Sequence, residues 1–200
     1  MVLAVVTRLK LDEWRKRAIT ETGESFGFRR LTQGEALPVV LVPLINSPNR
    51  KYLIILRGVL EGNAAAFFDL FCGAGKDWFY QSTVMISNPK VTMPRFQLRT
   101  PRWSRVLSQR TCGDALKIAG REEDMGPLRL SADDPQWARQ TFSKATPQFF
   151  HKVHDGKWTV EGFQHSLVIY RWGEKIPARK LKEYLMQAAE LSTEVFPLCS

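Results

Sequence analysis

The stretch Ala66-Phe-Phe-Asp-Leu-Phe-Cys72, Gly73-Ala-Gly-Lys76 and Asp77-Trp-Phe-Tyr-Gln-Ser-Thr-Val-Met-Ile-Ser87 decides the fold. Two extended runs rich in aromatic residues flank a short glycine-bearing connection. This predicts a hairpin, because glycine supplies the positive φ that tight turns require. A phosphate-loop reading of the same glycines fails twice: Leu70 stands where such a loop has its first glycine, and Asp77 stands where Ser or Thr follows the lysine.

Outward from the hairpin, Pro38 to Ile45 and Lys51 to Leu60 are rich in Val, Ile and Leu, and Ser47-Pro-Asn49 and Glu61-Gly-Asn63 bound them. Both read as strands. Further toward the N-terminus, Leu11, Trp14, Ala18 and Ile19 recur at helical spacing, which predicts an amphipathic helix over Leu11 to Thr22 that stops near Gly23. On the other side, Phe96 to Arg99 and Leu128 to Ser131 read as strands. Thr100 to Met125 has no clear period and reads as irregular, with a short helix around Ala115 to Ala119.

Asp133-Asp-Pro135 opens a helix to about Ser143, since Asp caps the first amides and Pro is tolerated in the first turn. A second short helix follows Thr146-Pro147. Trp158 to Gly162 and Ser166 to Arg171 form another hairpin, and Pro177 starts a terminal helix with the stripe Leu181, Tyr184, Leu185, Ala188 and Leu191. The fold class is therefore α+β: a mainly antiparallel sheet with helices packed on one face and amphipathic helices at both ends, in one globular domain over 1–200.

The 200 residues suffice for one well-buried core, and 44% hydrophobic with 24% charged residues excludes disorder over long stretches. Cys72, Cys112 and Cys199 are odd in number and widely spaced, so neither a disulfide framework nor a zinc knuckle is indicated and a reducing compartment is expected. Met1 to Val6 is far shorter than the ~20 apolar residues of a spanning helix. The expected location is cytoplasmic, with peripheral association at the inner face of a membrane.

Charge is the most informative feature. Lys and Arg number 29 against 20 Asp and Glu, a formal net charge of +9, and such a field concentrates polyanions near the chain. No acid lies between Asp77 and Asp114, whereas Lys90, Arg95, Arg99, Arg102, Arg105 and Arg110 all do. With Phe96 and Trp103 interleaved, guanidinium forks there suit phosphates while the rings contact bases or enter a lipid interface. The site expected to bind an anionic partner is Lys90, Arg95, Arg99, Arg102, Trp103, Arg105 and Arg110; a merely solvated cationic face is the competing reading.

Catalytic constellations have stronger structural explanations. His151 and His154 have one-helical-turn spacing, but no Cys or third His stands at a fixed short spacing from them, although His165 and Asp155 could approach in space. Asp133 reads as a cap, and Glu122 to Asp124 as a solvated loop. No Gly-x-Ser-x-Gly elbow occurs, and Cys72 sits in an apolar strand. No cofactor or metal is expected.

The order of motifs resembles a family of uncharacterised bacterial α+β domains usually carried behind N-terminal membrane helices. The likeness runs through Asn63 to Lys76, Tyr80 to Ile86, Met93-Pro-Arg-Phe-Gln-Leu-Arg99, Leu128 to Pro135 and Ser166-Leu-Val-Ile-Tyr-Arg-Trp-Gly173, and covers roughly Asp12 to Leu191. It implies a fold and no reaction. The chain departs from the pattern in its short apolar opening and in Trp172, where the family tends to carry proline. The function expected is a non-enzymatic interaction domain, an accessory subunit that docks on an acidic protein, a membrane-associated complex or an anionic lipid surface. Non-specific nucleic-acid binding is the alternative.

Overall fold

The computed structural model describes residues 2–31, 50–74, 77–100 and 128–199. The expected strand at Pro38 to Ile45 and, beyond Thr100 itself, the irregular stretch to Met125 with its short helix lie outside them. The described elements are α1 (Val2–Glu24), β1 (Arg29–Arg30), β2 (Arg50–Leu60), β3 (Asn63–Ala74), β4 (Asp77–Ser87), β5 (Met93–Arg99), β6 (Arg129–Ala132), α2 (Pro135–Phe142), α3 (Pro147–Asp155), β7 (Trp158–Gln164), β8 (Ser166–Arg171), a short 3-10 turn (Ala178–Lys180) and α4 (Leu181–Leu198).

The strands form one eight-stranded antiparallel sheet in the order β1-β2-β3-β4-β8-β7-β5-β6, so the architecture is α+β. The β3–β4 hairpin lies near its centre, with pairing from Ala64 opposite Ser87 to Ala74 opposite Asp77. The β2–β3 turn has Glu61 at φ 49° and Gly62 at φ 74°, two successive left-handed residues whose twist matches a right-twisted hairpin. Local chemistry also sets the short helices. Asp134 Oδ1 accepts the Trp137 N–H at 2.9 Å and Thr146 Oγ1 accepts the Phe149 N–H at 3.2 Å, each followed by proline in the first turn.

Strand register sorts the side chains by face. One row crosses the sheet as Leu56, Phe67, Val84, Ile169, Val160, Leu98 and Leu130. All seven are fully buried, at about 1.5–3 kcal/mol for each such side chain relative to exposure. They share a core with Ile19 of α1, Phe142 of α2, Phe149, Phe150 and Val153 of α3, and Leu181, Leu185, Leu191 and Val195 of α4. On alternate residues a second cluster gathers Ala66, Phe68, Leu70, Met85, Val168 and Tyr170, all from strands, with Ile55 and Trp172 against it.

Two expectations change. The N-terminal helix spans Val2–Glu24 rather than Leu11 to Thr22. Trp14, placed on its apolar stripe from sequence, is 68% exposed while Ile19 is fully buried. Helical spacing counts apolar residues without knowing which face meets the sheet. That face is set here by Arg15, one residue on from Trp14, which enters the protein.

Candidate functional site

The segment singled out by its charge is partly described. Lys90 is exposed in the β4–β5 turn, where its N–H donates to Asn88 Oδ1 at 3.0 Å. Arg95 and Arg99 lie half-buried on β5. Arg102, Trp103, Arg105 and Arg110 lie outside the described residues.

The sheet adds a residue that the linear reading missed. Arg99 pairs directly with Arg129 of β6, so two guanidinium side chains leave adjacent strands on the same face at the sheet's end. Arg129 is exposed and 30 residues distant in sequence, beyond the acid-free stretch. Only the β5–β6 register brings it alongside Arg99.

Inward from this edge the same face turns polar and then apolar. One row reads Ser131, Gln97, Glu161, Val168, Met85, Ala66, Arg57 and Arg29. Glu161 Oε1 accepts from Gln97 Nε2 at 2.7 Å and from the Tyr170 hydroxyl at 2.5 Å. These bonds consume much of that carboxylate's accepting capacity and fix it beside the arginine edge.

A second polar cluster is buried against α1. Asp69 of β3 is 1% exposed; its Oδ2 takes the Arg15 guanidinium and its Oδ1 accepts the Ser82 hydroxyl at 2.6 Å. Ser82 Oγ also accepts the Ile176 N–H at 2.9 Å, and Arg15 Nη2 donates to the Ile176 carbonyl at 2.5 Å. Tyr184 donates its hydroxyl to the Ser82 carbonyl at 2.8 Å, and Lys175 Nζ reaches Asp12 Oδ1 at 2.9 Å. Burial drives the Tyr184 phenol far above its usual range. Every polar atom named here is taken up by a neighbour, so the cluster fastens α1 and the β8–α4 connection to the sheet.

The titratable residues weighed for catalysis are dispersed. His151 and His154 lie on α3, where His154 Nδ1 meets Asp155 Oδ1 at 2.9 Å; His165 sits in the β7–β8 turn with Nδ1 2.6 Å from the Val91 carbonyl. Among the described residues no group of three His, Cys, Asp or Glu could hold a metal ion. Asp134 caps α2 through its side chain, while Asp133 donates its N–H to the Arg95 carbonyl at 2.9 Å. Asp134 is thus the cap, one residue past Asp133. Cys199 is half-buried, and burial pushes its thiol up to about 12. No described helix is long and apolar enough to cross a membrane.

No family model matches the chain, and no curated protein matches it. Among solved structures it is similar to the crystal structure of the mycobacterial trehalose monomycolate transport factor A, TtfA. The TM-score is 0.62 at 13% sequence identity, over 92% of this chain and 96% of that one. At that identity the likeness is one of fold.

Proposed function

We propose that the chain is a non-enzymatic docking domain, an accessory subunit whose β5–β6 edge binds an acidic partner protein in a membrane-associated complex. The observation that carries this reading is the cross-strand pair Arg99 and Arg129, with Arg95 on the same strand as Arg99. Guanidinium forks so placed match carboxylates in a fixed geometry. Lys90 extends the cationic surface, and Arg102, Trp103, Arg105 and Arg110 continue the segment in sequence. On this reading the helices cover one face of the sheet and leave its edge to the partner. The chain then works peripherally at the cytoplasmic face of the membrane. The structural neighbour is named for transport rather than for a reaction, which accords with an accessory role.

Charge reversal tests the proposal. Arg95→Glu with Arg129→Glu, both at least partly exposed, should lower co-purification with the membrane complex at least tenfold while thermal unfolding stays within a few degrees of the parent. Unchanged co-purification by the folded variant overturns the reading. A gel shift with arbitrary duplex DNA whose affinity falls steeply with salt points instead to nucleic acid.

A further inference from the structure

The opposite end of the sheet carries a second cationic surface, made by α1, β1 and β2 and outside the segment considered above. Trp14 is 68% exposed, although indole is among the side chains whose burial yields most. Arg17 and Glu21 follow it at helical spacings of three and seven, so the three share one side of α1. Lys16, Arg17, Thr20, Glu21 and Arg30 of β1 line a groove there together with Glu13, which is tied to Lys16 at 2.5 Å. Around the edge of the sheet, Arg57 stands directly opposite Arg29. Arg17, Arg30 and Arg57 are exposed and form no ion pair among the described residues.

The exposure of Trp14 is not the slack of a loose helix. Asp12 is held by Lys175, Arg15 by buried Asp69 and the Ile176 carbonyl, and Ile19 is fully buried. These three residues grip α1 on both sides of Trp14 and so turn position 14 outward. An aromatic anchor carried on a helix already fixed needs no backbone ordering on docking, and Trp and Arg are among the residues that dominate the energetics of protein interfaces.

We infer that the α1–β1 edge is a second docking surface, taking a segment of another protein that carries both charges and seats an apolar side chain against Trp14 and carboxylates on Arg17 and Arg30. Charge complementarity favours protein over a lipid surface: Glu13 and Glu21 would repel lipid phosphates, whereas a polypeptide can match both signs. Seven inter-strand steps separate β1 from β6, about 34 Å along the sheet, so the two edges can hold two partners at once. The inference is independent of the β5–β6 reading.

A photo-crosslinking residue placed at position 14, and separately at position 129, in cells that naturally make the chain tests it. The adduct at position 14 should be a protein distinct from that at 129. With both components purified, Arg17→Glu with Arg30→Glu should weaken binding at least tenfold, and reversing an acid on the partner should restore it. The same variant should leave the position-129 adduct intact. No adduct at 14, an adduct whose binding ignores the Arg17 and Arg30 reversal, or flotation of the wild-type chain with phosphatidylglycerol vesicles that Trp14→Ala abolishes, each overturns it. Loss of the 129 adduct alone counts against the β5–β6 reading only.

Discussion

Asp69 holds a carboxylate in the middle of β3 at 1% exposure, with Arg15 and Ser82 taking up its two oxygens. Removing one partner of such a pair strands a buried charge. Arg15→Met should cost about 3–5 kcal/mol in urea unfolding. Arg15→Met with Asp69→Leu should recover most of that loss, because the uncompensated charge leaves with its partner; equal losses in the single and double variants would refute the account. Cys199 offers a pH test at the same scale. Burial raises its thiol from an ordinary 9.0 to about 12, so the folded state favours the protonated form. The associated stability is complete below the ordinary value and is lost as pH rises toward about 12. Carbamidomethylation at Cys199, followed by peptide mass spectrometry at pH 8, should run at least tenfold slower in the folded chain than in urea. Neither residue discloses its setting in sequence: Asp69 sits amid an apolar strand, and nothing nearby along the chain announces Arg15, 54 positions away.

Elements with local causes were legible. Both capped helices begin at Asp/Thr-Pro signals, and the β2–β3, β3–β4 and β7–β8 hairpins follow their turn residues. Strand β1 was missed because Arg29-Arg30 has no apolar alternation to read; it is a strand through its pairing with Leu56 and Arg57. Gly162 shows how register constrains an element from a distance. It faces Phe96 across β7 and β5, and an added Cβ would lie 2.1 Å from the Phe96 ring. Gly162→Ala should cost about 1–3 kcal/mol through overpacking. Thermal unfolding of the variant checks this, and an unchanged midpoint would mean that the Phe96 ring shifts freely within the core.

For the whole molecule, composition and alternation along the chain determined an α+β build with an antiparallel sheet, because hairpin turns and short-range periodicity act between near neighbours in sequence. The net charge and the acid-free stretch were also plain from sequence alone. Tertiary structure decided which charges stand together. It pairs Arg99 with Arg129 at one edge, brings Arg17 and Arg30 to one groove at the other, and turns Trp14 outward by drawing Arg15 inward. The physical reason is that strand order β1-β2-β3-β4-β8-β7-β5-β6 is set by how apolar faces close over one core, a non-local balance. Long-range neighbours such as Arg15 and Asp69 are products of that closure, and no periodicity along the chain encodes them.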